Sequence, residues 1–282
     1  MKVVVTGATG FIGRHVVTAL VRRGHSVTAV ARKAERVSDL GWPQTVRFVS
    51  CDLHQADLDV RSILGAADAV IHLAWPGLPN YKALYHIEET LFADYRFLKS
   101  LVSAGYTHLL VTGTCFEYGM RNGPLREDMD TRPANPYALA KDTLRRLLEM
   151  LQTHSPFTFQ WARLFYLFGP GQNPASLLAQ LERALDRSDE EFPMSGGEQL
   201  RDYLPVEKAA FALVTLVEHP ERDGIVNICS GKPISVRRVV EEFLAAKGKE
   251  IRLKLGHFPY PDYEPMAFWG ERSKYQEIET NE

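Results

Sequence analysis

The chain has 282 residues, 45% hydrophobic and 24% charged, which suits one large domain or one domain with a smaller partner and excludes a disordered chain. A formal net charge of −2 argues against general nucleic-acid or membrane-surface binding, which rely on a concentrated positive excess. Cys51, Cys115 and Cys229 form no CxxC or Cys/His ligand pattern, no run of about 18 apolar residues occurs, and MKVVVTG enters a strand without a leader; the expectation is a cytoplasmic protein with reduced thiols and no metal.

Over the first 110 or so residues, β-branched runs alternate with helical periodicity. KVVVT, SVTAVA, VRFVS, AVIHLA and HLLVTG read as strands, with helices beginning near Phe11, Ala56 and Tyr81. This alternation predicts a parallel sheet covered by helices on both faces, a doubly wound α/β fold. A loop over 121–136 leads to a helix from Pro136 to Gln152 and a strand, FTFQWARLF. From Gly169 the pattern changes. A turn (FGPGQNP), a helix over Ser176–Leu185 and a short polar segment (EFPMSGGEQLRDYLPV) precede a helix over Val206–Glu218, a strand (GIVNICS), a helix over Ser235–Lys247 and a strand (IRLKLG). The expected division is a Rossmann domain over 1–168 and a smaller α/β substrate lobe over 169–282, with elements crossing between them. The tail after Lys274 is polar and reads as disordered.

TGATGFIG, residues 6–13, lies between the first strand and a helix ended by Gly24. In that setting Gly7 permits a tight turn, Gly10 lets backbone N–H groups approach a pyrophosphate, and Gly13 lets the helix pack close to the sheet. An ordinary strand-to-helix turn would read similarly for the glycines alone. The spacing is GxxGxxG and resembles the short-chain dehydrogenase/reductase superfamily, whose loop residues Thr9, Phe11 and Ile12 would also touch the cofactor. At the end of the second strand, AVARKAER offers no acid for a ribose 2′-hydroxyl. Arg32, with Lys33 and Arg36 nearby, would face a 2′-phosphate, favouring NADP(H) with NAD(H) possible; a solvated basic turn is the alternative.

Four further segments fall at strand ends or just beyond: CDL (51–53), HLAW (72–75), TGTCFEYG (112–119) and NPYALAK (135–141). Ligands of open parallel sheets sit beyond the carboxyl ends of the strands. With the glycine loop, these segments resemble the extended short-chain dehydrogenases, the NAD-dependent epimerase/dehydratase family of nucleotide-sugar enzymes. That resemblance implies Asp52 and Leu53 at the adenine end, Leu73 and Ala74 along the cofactor, and Thr114, Tyr137 and Lys141 as the catalytic set. Tyr137 and Lys141 stand at i and i+4 on one helical face, so Lys141 reaches the nicotinamide ribose while its charge stabilises a phenolate at Tyr137. Read alone, such a pair is usually structural. His72 reads as a satisfied strand-end histidine, Cys115 as a buried thiol and Trp269 as packing.

The resemblance also implies that the C-terminal lobe selects a nucleotide diphosphate-sugar. Its candidates are Tyr166, Asn173, Ser176 and Arg201, with Arg201 on the diphosphate or, alternatively, in a surface ion pair with Asp202. Related 4,6-dehydratases carry Asp and Glu directly after the threonine; Cys115 and Phe116 stand there instead, which disfavours dehydration. The remaining readings are reduction of a nucleotide-linked (dTDP) 4-keto-6-deoxyhexose, 4-epimerisation with tightly held NAD, and a non-catalytic dinucleotide sensor. Helices over 81–104 and 136–152, with Leu84, Leu91, Leu98 and Leu144, resemble those that pair across a family homodimer or belong to the core.

Overall fold

The computed structural model describes residues 1–33 and 38–272; Arg36 and the tail after Lys274 lie outside the described residues. In chain order the first half forms β1 (Lys2–Thr6), α1 (Phe11–Arg22), β2 (Ser26–Ala31), β3 (Arg47–Ser50), α2 (Val60–Leu64), β4 (Ala69–His72), α3 (Leu91–Ser103), β5 (His108–Thr114), β6 (Gly123–Leu125), α4 (Pro136–His154) and β7 (Thr158–Leu164). There follow β8 (Tyr166–Phe168), α5 (Leu177–Asp186), β9 (Glu191–Pro193), β10 (Leu200–Pro205), α6 (Val206–Glu218), β11 (Gly224–Ile228), β12 (Pro233–Ser235), α7 (Val236–Lys247), β13 (Arg252–Lys254) and β14 (Phe268–Gly270).

Seven parallel strands make the main sheet in the order β11-β7-β5-β4-β1-β2-β3. Because side chains alternate along a strand, Val3 and Val5 of β1 face α1 and α6 while Val4 faces α3 and α4, so both faces are buried. Sequence order reverses between β1 and β4, which places a crevice beyond their carboxyl ends. This is the doubly wound fold expected. Although β11 and α6 follow residue 168, β11 extends this sheet and α6 packs on α1. The smaller lobe keeps its own core around Leu178, Leu181, Phe192, Met194, Val240 and Leu244.

Three expectations need correction. The helix expected near Ala56 starts at Val60, where the Asp59 carboxylate caps Ser62 N–H at 3.0 Å. The one expected from Tyr81 begins as a π-helical turn over His86–Thr90 before α3. The segment read as merely polar contains β9 and β10, and β10 was hidden because it buries charged residues, Arg201 and Asp202, that find partners inside. Of the four leucines considered for a dimer face, Leu91, Leu98 and Leu144 are core and Leu84 is exposed.

Candidate active site

Beyond β1, the glycine loop is as tight as its spacing implies. Gly7 has φ +67°, and a Cβ on Gly13 would lie 2.2 Å from the Gly7 carbonyl oxygen, so a side chain there would break the turn. Gly10 is the N-cap of helix α1 and offers no side-chain cap, leaving first-turn N–H groups for an anion. A groove of about 540 Å³ runs from this loop past Thr9, Arg32, Asp52, Leu53, Leu73 and Ala74. The groove's volume, the uncapped helix end and the basic Arg32–Lys33 corner fit a dinucleotide. Phe11 and Ile12, also expected on the cofactor, line the neighbouring cavity that Thr114 and Tyr137 share.

The catalytic candidates meet at the inner end of α4. Asn135 caps this helix by accepting from Ala138 N–H at 2.9 Å, and Pro136 occupies the first helical position, so NPYALAK fixes where the first turn begins. Tyr137 and Lys141 therefore project one turn apart, 7% and 2% exposed. Lys141 Nζ donates to the Thr112 carbonyl at 2.9 Å and lies 3.9 Å from the centroid of the Trp75 ring. Burial lowers Lys141 to about 8, with Asp94 and Glu117 opposing.

Burial, reinforced by Tyr81, Glu117 and Cys115, pushes the Tyr137 phenol well above its ordinary value, while a hydrogen bond with the Thr114 side chain opposes the rise. The ring sits among Trp75, Tyr81 and His86, at centroid distances of 5.4–5.9 Å, and burial dominates.

Sequence reasoning missed what holds Thr114. The threonine ends β5 and caps the 3₁₀ turn Cys115–Tyr118, accepting from Phe116 N–H at 3.3 Å, while Glu117 accepts from Thr114 N–H at 2.8 Å. Thr114 and Glu117 form a capping box, a signal legible in TGTCFEYG as T-x-x-E. The Glu117 carboxylate is fully buried against Arg163 Nε (2.7 Å) and Trp161 Nε1 (3.1 Å). A Cβ on Gly113 would lie 2.2 Å from Trp161 Nε1, so glycine is needed for this approach. Cys115 is buried and its thiol pushed up by burial, as befits a structural thiol. His72 is buried, its Nδ1 hydrogen-bonded with Thr6 Oγ1 at 2.9 Å and its Nε2 3.4 Å from Asp94 Oδ2.

Thr114 and Tyr137 open onto a second cavity, also about 540 Å³, between the main sheet and the smaller lobe. Its walls include Tyr81, Cys115, Phe116, Tyr166, Asn173 and Ser176. Ser176 Oγ has no partner among the described residues and stands at the start of α5, where a polar ligand would satisfy it. Arg201 is not on the cavity surface. It is 2% exposed, 3.2 Å from Glu264 and bonded to the Leu200 and Met266 carbonyls. The alternative surface pair with Asp202 is absent because adjacent strand residues point oppositely; Asp202 instead accepts from the N–H groups of Ser230, Gly231 and Gly270. Glu264, missed from sequence, also takes the Tyr166 phenol and lines the cavity. Among the described residues no His/Cys/Asp/Glu cluster could hold a metal, and no helix is long and apolar enough to cross a membrane.

The NAD dependent epimerase/dehydratase family model matches residues 3–229. The chain belongs to this family. It is 32% identical over 280 residues to a dTDP-6-deoxy-L-talose 4-dehydrogenase (NAD(+)) of Aggregatibacter actinomycetemcomitans, covering 96% of this chain and 100% of that one. Among solved structures it is similar to a UDP-N-acetylglucosamine 4-epimerase from Methanobrevibacter ruminantium M1, with TM-score 0.87, 25% identity and coverage of 98% and 91% of the two chains. It is also similar to MoeE5 in complex with UDP-glucuronic acid and NAD, with TM-score 0.82, 29% identity and coverage of 99% and 92%. The chain is therefore an oxidoreductase-type enzyme of the extended short-chain class that modifies nucleotide sugars, and the sensor reading falls away.

Proposed function

We propose that the enzyme reduces a nucleotide-linked, dTDP-type 4-keto-6-deoxyhexose to the 6-deoxyhexose, a cytoplasmic step toward surface polysaccharide or glycoside precursors. The observation that carries this is the wall beside the two reacting hydroxyls. Thr114 and Tyr137 face a cavity flanked by Tyr81, Cys115 and Phe116, apolar surface that suits a deoxygenated sugar and lacks the acid pair a dehydratase needs after the threonine. The similar talose dehydrogenase acts, by its name, at position 4 of such a sugar.

A nicotinamide dinucleotide held along Gly7, Thr9, Gly10, Asp52, Leu53, Leu73 and Ala74 supplies hydride chemistry when bound. Tyr137, kept protonated by burial, donates its proton to the sugar oxygen as negative charge develops there. Thr114 hydrogen-bonds the same oxygen, and Lys141 places positive charge behind the phenol. Oxidation reverses these roles. Asn173, Ser176 and Tyr166 hold the nucleotide and sugar, and Arg201 meets the diphosphate once Glu264 gives way. Arg32 and Lys33, with no acid at the end of β2, favour NADP(H); the NAD(+) in the talose relative's name is the competing reading. Exposed Leu84, Phe92, Leu139 and Met150, on and beside α3 and α4, suit a homodimer face.

The deciding experiment offers dTDP-, UDP-, GDP- and CDP-linked 4-ketosugars with NADPH or NADH, following nicotinamide absorbance and identifying products by NMR. Stoichiometric cofactor oxidation with one 6-deoxyhexose product is expected. The second reading, 4-epimerisation, is favoured by the 0.87 TM-score to a 4-epimerase. It would show tightly retained cofactor and, when the corresponding 4-hydroxy nucleotide sugars are offered, inversion at C4 with no net oxidation.

A further inference from the structure

Trp75 follows Leu73 and Ala74 at the mouth of the dinucleotide groove, yet its ring also reaches the catalytic corner. Its centroid lies 3.9 Å from Lys141 Nζ, and its edge meets the Tyr137 ring at 5.9 Å and 71°. The indole is itself held. Nε1–H donates to His86 Nδ1 at 3.0 Å, and His86 Nε2 lies 2.9 Å from the Asn80 carbonyl oxygen. An indole N–H can only donate and a carbonyl can only accept, so His86 carries its proton on Nε2 and accepts on Nδ1. One neutral tautomer satisfies both partners. The buried His86 ring also lies nearly parallel to the indole, at 6.1 Å and 24°, on the π-helical turn that precedes α3.

We infer that Trp75 is a positioning residue for Lys141: its π face holds the ammonium behind Tyr137, and the fixed His86 tautomer holds the indole. The inference uses the assignment of Lys141 as the charge behind the phenol, but its first test requires no turnover. An ammonium has three donors, and Lys141 spends one on the Thr112 carbonyl. In this desolvated site the indole face supplies attraction where water would otherwise be, favouring the charged form. A leucine would fill comparable apolar space without that attraction or the bond to His86. The other ionisable groups acting on the ammonium are Asp94 on α3, Glu117 in the 3₁₀ turn and His86 on the π turn. Asp94 and Glu117 favour the charge, and burial draws Lys141 down to about 8.

The test places a fluorotryptophan at position 75 alone in the full chain and follows its fluorine NMR resonance with pH. The resonance is expected to titrate with a midpoint near 8 and to lose that titration in Lys141→Met, which separates it from any response to His86. A flat resonance, or the same titration in Lys141→Met, overturns the inference. A second arm reads turnover. Trp75→Leu is expected to move the alkaline limb of kcat down by about one pH unit, the scale of a desolvated cation–π contact. Trp75→Phe, retaining a π face, should recover part of the shift, and increasing fluorination of the indole should move the limb stepwise. An unmoved limb across that series, in which shape is nearly constant, counts against the inference even if Trp75→Leu fails to fold.

Discussion

The catalytic corner and the facing substrate wall are built by different means. At the corner, short-range devices set each reacting group: Asn135 caps α4 by accepting from the Ala138 N–H three residues on, and Thr114 and Glu117 cap each other three apart. The wall is assembled from distant parts of the chain. Glu264 joins Tyr166 and Arg201, the Lys82 ammonium lies 2.7 Å from Asp262, and the Tyr263 ring packs on Tyr81 and Phe116. Short-range caps thus set where the corner's reacting groups stand, while the wall depends on contacts between distant parts of the chain.

The largest expected effect removes the proton donor. Tyr137→Phe should lower kcat about 10³-fold, within the usual range for a general acid, with cofactor affinity nearly unchanged. Retained turnover of every ketosugar would end the assignment of the corner. Glu117→Ala tests the support beneath it. The change leaves Arg163 without its buried carboxylate and Thr114 N–H without an acceptor, and should cost about 3 kcal/mol in urea unfolding as well as lowering kcat. A loss below about 1 kcal/mol would mean that the capping box does not brace the corner.

Acid should expose a third support. The Asp94 carboxylate is buried between His54 at 2.8 Å and His72 at 3.4 Å. Burial alone would raise it, but His72, His54 and Lys141 outweigh that and hold it down to about 2. The folded chain then binds fewer protons at this site than the unfolded chain over the interval from about 4 to 2, so stability rises with pH there. The contribution, about 2 kcal/mol, is present above pH 4 and lost as pH falls through 2. Unfolding followed against pH should show Asp94→Asn with a shallower acid limb than the wild type; parallel limbs would assign the acid loss elsewhere.

This division explains what could be read in advance. The sheet and the glycine loop were legible because period-two burial and glycine spacing are local properties of sequence, whereas Thr114, Tyr137 and Lys141 were marked by the family resemblance, with i,i+4 spacing placing the last two on one helix face. Glu117 was legible in principle as the fourth residue of a capping box. Arg201 was not, since its partner Glu264 lies 63 residues away and a buried arginine on a strand has the same letter as an exposed one. Nor could spacing reveal Trp75 over Lys141, which requires β4 and α4 to be brought together. The short α2 begins where Asp59 caps it, later than the periodicity implied, and the π turn interrupts the helical run expected from Tyr81.

Arg32 tests the cofactor side of the crevice, where the legible and the uncertain meet. Arg32→Asp replaces a guanidinium at the groove with a carboxylate and should shift the NADPH to NADH ratio of kcat/KM toward NADH by about tenfold. An unchanged ratio would make Arg32 part of a solvated turn and leave NAD(H) as the natural cofactor.

The smallest effect should come from the wall, in KM more than in kcat. Glu264 is an anion seated on the guanidinium proposed to meet an anionic diphosphate, so the two compete for Arg201. Glu264→Gln keeps the side chain's size and its acceptor for Tyr166 while removing the charge. If Arg201 contacts the diphosphate, the exchange should lower KM for the nucleotide sugar about threefold, well under the full strength of a charge-assisted pair. If Glu264 instead braces Tyr166 and Arg201 as one structural unit, the same change should loosen the wall and raise KM. The direction of that change decides whether Arg201 is a substrate ligand or a buried strut.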